Sequence, residues 1–195
     1  MKSSLSLHIP SLEELWYRQK IMQDPSTMSY NRGYDLDFAG YDKETGCIAF
    51  PKQTWADWYD YFIEREPLRF YAYVVREEDH TFIGEVNLHK TPDASWYEMG
   101  IVLEAKYHGQ GYATEALRLL LTHAFENLKA DAVHNCFEEN RSAAVRTHLS
   151  AGFTEYRRHD GIVEFLITRE EYFRQRTAGS QVPAAQPADV SKNRR

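Results

Sequence analysis

Apolar residues alternate with polar ones, or form short β-branched and aromatic runs, at several places along the chain. Both patterns predict strands, because successive side chains of a strand point to opposite faces of a sheet. The predicted strands cover residues 5–9, 69–76, 81–89, 95–103, 132–138, 153–158 and 162–168. The turn 90–94 contains Pro92-Asp93 and predicts that the third and fourth strands form a hairpin.

A helical period is clearest between the fourth and fifth predicted strands. Its apolar positions recur three or four residues apart, at Ala113, Ala116, Leu117, Leu120, Leu121, Ala124, Phe125 and Leu128. A Ser11–Glu14 capping box predicts an earlier helix that runs to about Met22. Further helices are predicted over 55–66, stopped by Pro67, and over 141–151 and 170–176.

The order of these elements, βαα-βββ-α-β-α-ββ, predicts an α/β protein with a mixed sheet and one dominant helix. A length of 195 residues is ordinary for a single domain. Residues 177–195 contain no aromatic side chain, and Pro183 and Pro187 interrupt any helix there. We therefore predict one domain over residues 1–176 and a flexible tail over 177–195.

Composition and charge narrow the class of function. The formal net charge of −6 argues against nucleic acid as a partner and favours a cationic or amine substrate. No apolar run approaches the ~18 residues that cross a membrane, and residues 1–10 lack the apolar segment of a secretory signal. Two cysteines, Cys47 and Cys136, exclude a disulfide framework and a four-cysteine zinc site. We expect a cytoplasmic protein with no metal and no membrane partner.

The segment from His108 to Ala113 opens the long helix and contains two glycines at alternate positions. Glycines let the backbone turn tightly, and the first N–H groups of a helix have no partner within it. Because the helix dipole is positive at this end, the turn suits a phosphate or pyrophosphate. No lysine follows Gly111 as in the Walker loop, and Thr114 stands where a dinucleotide fingerprint needs its third glycine. Taken alone, the glycines fit a simple turn equally well.

With its flanks, this segment resembles the acetyl-CoA pyrophosphate loop of the GNAT superfamily of N-acetyltransferases, which reads Gln/Arg-x-x-Gly-x-Gly/Ala. Gly111 and Ala113 match that pattern, while His108 stands at the Gln/Arg position. The strand E-M-G-I-V-L over 98–103 and the Y-A-T-E-A over 112–116 are similar to the branch of ribosomal-protein and antibiotic acetyltransferases. The resemblance covers about residues 1–168. It implies a mostly antiparallel central sheet flanked by helices, with acetyl-CoA as co-substrate.

The resemblance also implies which residues bind the coenzyme. The pyrophosphate would lie on the turn and first helical residues, His108, Gly109, Gln110, Gly111, Tyr112, Ala113 and Thr114. Pantetheine would run beside the backbone of Ile101, Val102 and Leu103, with Asn140 either bonding its amides or capping a helix. Counting back from Gly152, Arg141 stands where the family has Asn. His148 stands where some members have a Tyr that protonates the leaving thiolate, and an ordinary helical His fits it equally well.

Glu98 is the candidate general base, since a Glu at this strand position serves as base in some members of the family. A centred hairpin turn would place Asn87 opposite Glu98 and Glu85 opposite Gly100, so that Glu85, Asn87, His89 and Glu98 share one sheet face. We expect partial burial to raise the pKa of Glu98. A structural ion pair or a solvated sheet face is the alternative, and His89 is the reserve base. Gly100 fits close approach of a ligand or a plain strand.

The region 30–62 would shape the acceptor site. Its aromatic residues are Tyr30, Tyr34, Phe38, Tyr41, Phe50, Trp55, Trp58, Tyr59, Tyr61 and Phe62, interspersed with Asp35, Asp37 and Asp42. Aromatic walls with carboxylates would suit a cationic amine, while simple packing on the sheet is the alternative. The acceptor is a small-molecule amine or a protein N-terminus, and the sequence does not choose between them.

The sequence therefore predicts an N-acetyltransferase in which an amine attacks acetyl-CoA directly in a ternary complex. Because no His–Cys pairing is readable, we expect no acyl-cysteine intermediate on Cys47 or Cys136. The alternatives are a non-catalytic acyl-CoA-binding or regulatory module that retains the fold, and a nucleotide-binding domain. Analogy with the family also suggests a homodimer.

Overall fold

The computed structural model describes residues 4–37, 39–90 and 94–179. Its strands are β1 (Leu5–His8), β2 (Arg69–Arg76), β3 (Thr81–Lys90), β4 (Trp96–Leu103), β5 (Ala132–Glu138), β6 (Thr154–His159) and β7 (Ile162–Thr168). They form one sheet in the order β1-β2-β3-β4-β5-β7-β6. All neighbours are antiparallel except β4 and β5, which run parallel. The predicted mixed, mostly antiparallel sheet is confirmed.

The helices flank this sheet and follow the predicted order with one addition. They are α1 (Trp16–Met22), α2 (Pro25–Met28), α3 (Trp55–Phe62), α4 (Tyr112–Thr122), α5 (Ser142–Ala151) and α6 (Arg169–Gly179). The sequence did not predict α2, where the Asp24 carboxylate accepts from the N–H groups of Ser26 and Thr27. No helix within the described residues is long and apolar enough to cross a membrane.

The bounds of three helices, α1, α3 and α6, differ from prediction. Before α1, a 3-10 turn over Leu12–Leu15 carries the capping box, in which the Ser11 N–H donates to Glu14 Oε2 at 2.8 Å. The helix predicted to reach residue 66 ends at Phe62. The last helix continues to Gly179, past the predicted start of the tail. The remaining tail positions, 180–195, and the turn positions 91–93 lie outside the described residues.

The predicted long helix is α4, and its apolar stripe forms the centre of the core. Its buried positions are Ala116, Leu117, Leu120 and Leu121. They pack on apolar side chains of β2, β3 and β4, including Phe70, Val86 and Met99. The stripe continues through a π-helical turn, His123–Asn127, which keeps Ala124 and Phe125 buried.

On the opposite face of the sheet, α1 packs against β2. Tyr17, Ile21 and Met22 bury their side chains there against Tyr71 and Tyr73. Since alternate residues of a strand share a face, α1 covers the same face to which the side chains of Glu85, Asn87 and Glu98 belong. We call this the polar face, and its members from β3, β4, β5 and β7 are Glu85, Asn87, His89, Glu98, His134 and Glu164.

The hairpin register differs from the centred one expected from the sequence. His89, rather than Asn87, lies opposite Glu98, and Asn87 lies opposite Gly100. The expectation was wrong by two residues, because β3 extends to Lys90 and Lys90 pairs with Tyr97. Since the side-chain period of a strand is two, this shift leaves the predicted residues on the predicted face.

Candidate active site

The parallel strands β4 and β5 separate shortly after they meet. They pair only where Trp96, Tyr97 and Glu98 lie beside 132–134, so residues 99–103 have no partner strand on that side. The Glu104 N–H donates to the Ile83 carbonyl at 3.0 Å, which sets the alternation of the β3–β4 ladder. By this alternation, the backbone N–H groups of Ile101 and Leu103 face the opening between the strands.

The same alternation changes the prediction for the backbone N–H of Val102, which was expected to bind pantetheine with those of Ile101 and Leu103. Val102 is paired with Glu85, and its N–H is directed to β3 rather than to the opening. An extended ligand between β4 and β5 therefore meets the backbone of Ile101 and Leu103, with every second residue turned away.

The turn after β4 leads directly into the N-terminus of α4. Gly109 and Gly111 have φ values of +75° and +85°, in the left-handed region that favours glycine. Gly111 is the N-cap of α4, and no side chain caps the helix. The N–H groups of Tyr112, Ala113 and Thr114 therefore have no partner within the helix and lie at the positive end of its dipole.

The side chains of the turn fold back onto its own backbone. The His108 ring bonds through Nε2 to the Leu103 carbonyl oxygen at 3.0 Å. Gln110 donates its amide to the Lys106 carbonyl at 2.9 Å. His108 thus joins the end of β4 to the turn instead of extending over it as a long donor, so an anion here would meet mainly backbone N–H groups.

Glu98 lies at the last residue of β4 that pairs with β5, where the opening begins. Its side chain is 25% exposed. The indole N–H of Trp96 donates to Oε1 at 2.9 Å. Nδ1 of His134 is 2.9 Å from both carboxylate oxygens. Glu98 is therefore partly buried, as predicted, and bound by two donors.

The expected rise in the pKa of Glu98 is wrong. Burial acts to raise this pKa, but the hydrogen bond and positive charge of His134, with the Trp96 N–H, outweigh burial and lower it. The pKa of His134 is raised, since the carboxylates of Glu98 and Glu164 outweigh the effect of burial. Each partner therefore favours the charged form of the other.

The charged cluster extends from Glu98 across β5, β7 and β6. His134 Nε2 lies 3.4 Å from Glu164 Oε2. Arg157 donates to Glu164 Oε1 through Nε at 3.0 Å and Nη2 at 2.7 Å, and His159 Nε2 lies 2.7 Å from the same oxygen. These partners, Arg157 first, overcome burial and lower the pKa of Glu164 to about 2. Glu164 also lines an open groove of about 460 Å³ between β5, β6 and β7.

Sequence reasoning missed His134, Glu164 and Arg157. A weak signal existed, because His134 stands between Val133 and Asn135, whose side chains belong to the opposite face of β5. That signal could not pair His134 with Glu98, since parallel neighbours 36 residues apart become adjacent only in the folded sheet.

Asn87 and His89 extend the polar face on β3. A Cβ atom at residue 100 would lie 2.6 Å from the Asn87 amide nitrogen, so the Asn87 side chain occupies the space beside Gly100. The close neighbour of Gly100 is therefore a side chain of the same sheet, and close approach of a ligand there stays a prediction. His89 lies opposite Glu98, and burial, with the charge of Arg69, lowers its pKa.

The aromatic region encloses a cation that belongs to the chain itself. The Arg18 guanidinium lies 4.6 Å from the ring centre of Trp58 and 5.3 Å from that of Phe50. It also donates to the buried Glu85 carboxylate, which accepts a second hydrogen bond from Tyr71. This part of the expected aromatic wall therefore binds Arg18. Of the other predicted members, Phe38 lies outside the described residues, and Asp35 pairs with Lys43.

Arg141 joins the acceptor region to the β5–α5 junction. Its guanidinium donates to the Tyr30 carbonyl at 3.1 Å and the Tyr34 hydroxyl at 2.9 Å, and it pairs with Glu138 at 2.6 Å. Arg141 is also the N-cap of α5, so the neighbouring Asn140, which is exposed, does not cap that helix.

His148 is part of the core. Its side chain is 2% exposed, Nδ1 donates to the Ala144 carbonyl at 2.8 Å, and Nε2 accepts from the Asn135 amide at 2.9 Å. The ring packs against Phe137, Phe153 and Phe165. Burial lowers the pKa of His148, so the ring is neutral and its proton is already donated to a carbonyl. The structure therefore favours the ordinary helical His over the proton donor.

A His148→Ala substitution tests this assignment. We expect the free energy of unfolding to fall by about 2–4 kcal/mol, because a buried ring and its hydrogen bonds are lost. Urea denaturation measures this change. In the folded variant, the basic limb of the pH–rate profile should match that of the wild type. If the variant lacked this basic limb, His148 would be the proton donor after all.

Two parallel strands separate beside a glycine turn, with a carboxylate where they part, and this is the arrangement that the resemblance to the GNAT superfamily implied. The chain belongs to the GNAT family, since the model of the acetyltransferase (GNAT) domain matches residues 8–154. Among the described residues, no group of three or more His, Cys, Asp and Glu side chains could hold a metal ion.

Solved structures share this fold at low sequence identity. Spermidine N-acetyltransferase from Vibrio cholerae, in complex with CoA and spermine, is 16% identical with a TM-score of 0.69, over 88% of this chain and 99% of that one. A GNAT acetyltransferase from Bacillus anthracis is 16% identical with a TM-score of 0.64, over 87% and 98%. FdhC, a nucleotide-linked sugar GNAT, is 15% identical with a TM-score of 0.67, over 92% and 94%. Comparison with curated proteins found no match.

Proposed function

We propose that this protein transfers an acetyl group from acetyl-CoA to a primary amine by direct attack in a ternary complex. The observation that carries the proposal is the position of Glu98 at the point where β4 and β5 separate. The glycine turn follows the far end of the same strand. Strand β4 thus carries the Glu98 carboxylate and leads to the N-terminus of α4, which would bind an anion.

The residues fit the coenzyme in the order of its parts. The N–H groups of Tyr112, Ala113 and Thr114 would bind the pyrophosphate. Those of Ile101 and Leu103 would bind pantetheine between β4 and β5. When bound, acetyl-CoA supplies the activated thioester. Asn140, exposed beside α5, is retained as a pantetheine contact on the resemblance alone.

Glu98 would accept a proton from the amine nitrogen as that nitrogen bonds to the acetyl carbon. The carbon–sulfur bond then breaks, and the leaving thiolate takes a proton from solvent to form the thiol, while the first proton that the ammonium loses passes to solvent. N–H groups on the open side of β4 would bind the developing oxyanion. Because ionised Glu98 also attracts a cation, it would orient an ammonium before that group loses its proton.

The acceptor is a small-molecule amine or a protein N-terminus. The name of the Vibrio cholerae neighbour supports testing spermidine, while that of FdhC supports amino sugars linked to nucleotides. Because Arg18 occupies part of the aromatic region, we expect a monoamine to be preferred over a long polycation. A homodimer is kept as an expectation from the family.

Calorimetry with acetyl-CoA, followed by thiol-release assays on an amine panel, tests the proposed function. The panel contains spermidine, an aminoglycoside, an amino-sugar nucleotide and a peptide with a free N-terminus. We expect micromolar binding of acetyl-CoA and turnover with one class. Binding without turnover would support the non-catalytic acyl-CoA-binding module, and no binding would refute both.

A further inference from the structure

We propose that His134 is the positioning residue of Glu98: its ring fixes the orientation of the carboxylate and leaves one oxygen, Oε2, with lone pairs that can take the proton of the acceptor. This inference rests on the proposed function, because it assigns a task to a residue that touches Glu98 and not the reacting atoms.

The contacts at Glu98 distinguish its two oxygens. Oε1 accepts from the Trp96 indole at 2.9 Å and lies 2.9 Å from His134 Nδ1. Oε2 shares Nδ1 at the same distance and has no second donor among the described residues. The Trp96 and His134 rings stack with centroids 5.1 Å apart, which fixes both donors in one arrangement. The carboxylate is therefore held on one side, and Oε2 retains lone pairs for an incoming proton.

His134 is itself fixed in place by strand pairing and by a second carboxylate. The two residues are partners in the last parallel pair of β4 and β5, and the His134 side chain is 7% exposed. On the other side of the ring, Glu164 Oε2 lies 3.4 Å from Nε2. Glu164 is itself bound by Arg157 and His159 through its other oxygen. Oε2 of Glu164 thus remains available to favour a proton on Nε2.

Other charged groups around the pair act less directly. From β3, His89 faces Glu98, with Arg69 of β2 beside it. On β5 itself, Cys136 is the next residue on the same face, and burial raises the pKa of its thiol, so it is neutral near pH 7. Among the charged groups around Glu98, His134 is therefore the one that is hydrogen-bonded to its carboxylate.

The expected consequence is a pH dependence with a definite sign. Positive charge on His134 lowers the pKa of Glu98, so the carboxylate stays ionised as the solution becomes mildly acidic. Loss of this charge leaves burial as the main influence and raises the pKa of Glu98. The acid limb of activity, which reports protonation of the base, would then move to higher pH.

The pH profile of kcat/KM in a His134→Gln variant tests this, because Gln can donate a hydrogen bond without a charge. We expect the midpoint of the acid limb to move to higher pH by about one unit. We also expect kcat to be reduced and KM for acetyl-CoA to be unchanged. Glu164→Gln should move the limb in the same direction by less. Cys136→Ser is the matched control, since it changes the same strand face at a residue that, within the described structure, is not hydrogen-bonded to Glu98.

A second measurement does not depend on turnover or on the stability of His134→Gln. In the free wild-type protein, NMR titration of the His134 ring should give a pKa above the ordinary ~6.5, and Glu98→Gln should lower it. An unchanged ring pKa in Glu98→Gln would overturn the proposal. Wild-type turnover with an unmoved acid limb in folded His134→Gln would refute the role of His134 alone. Absence of any turnover by wild type would refute the proposed function, and the positioning role with it.

Discussion

Glu98→Gln is expected to lower kcat/KM for the acceptor amine by about 10²–10⁴-fold, the usual contribution of a positioned acid–base group. Gln has the shape of Glu and still accepts from Trp96, so the strand and the opening beside it should remain intact. The capacity to take a proton is lost, together with the negative charge that would orient an ammonium. Calorimetry should therefore show acetyl-CoA binding equal to that of the wild type, while thiol release with the best amine falls.

His89→Gln is the informative comparison, because His89 lies opposite Glu98 on the same face and is the reserve base. We expect a smaller loss of activity in this variant, with the acid limb of the pH–rate profile retained. If Glu98→Gln kept the wild-type rate and pH profile while His89→Gln lost both, the base would be His89. A neutral His89, with its pKa lowered by burial, would be suited to that task.

Gly111→Asp is expected to weaken acetyl-CoA binding by about 100-fold or more. Gly111 has a φ of +85°, which strains any side chain, and an added carboxylate would lie at the same helix N-terminus as the pyrophosphate. Repulsion between the two anions and distortion of the N–H groups both oppose binding. Calorimetry with acetyl-CoA measures the loss directly.

Gly161→Asp is the matched control for backbone strain. Gly161 has a φ of +78°, and a Cβ atom there, as at Gly111, would meet nothing within 4 Å. It lies in the β6–β7 turn and is not part of the proposed pyrophosphate turn. We expect both variants to lose similar thermal stability while only Gly111→Asp loses the coenzyme. Equal affinities in the two variants would remove the pyrophosphate from this turn.

Some elements of the site could be predicted because they depend on neighbours in sequence. The left-handed glycines at 109 and 111, the start of α4 and the strand ending at Leu103 are local features, and each followed from residue type and spacing. The side of the sheet that carries Glu98 also followed, since alternation along a strand is local. The chemistry expected of Glu98 did not follow, because its pKa depends on residues distant in sequence.

His148 and Arg18 illustrate the same limit from the opposite direction. Spacing within the family pattern suggested a proton donor at His148, but three aromatic rings and two hydrogen bonds enclose it. Aromatic residues before β2 suggested a wall for a substrate cation, but Arg18 of α1 lies against them. In both cases, the sequence shows the residue type, but it does not show which side chains pack around that residue.

The sequence by itself determined the class of fold, the order of all its elements but α2, the glycine turn that opens α4 and the face on which Glu98 lies. These follow from periodicity and turn chemistry, which act over a few residues. Only the tertiary structure decided the register of His89 with Glu98, the pairing of Glu98 with His134, and the burial of His148. The physical reason is that hydrogen bonds, desolvation and charge interactions act across space, and parallel strands joined by a long helix become neighbours only when the chain folds.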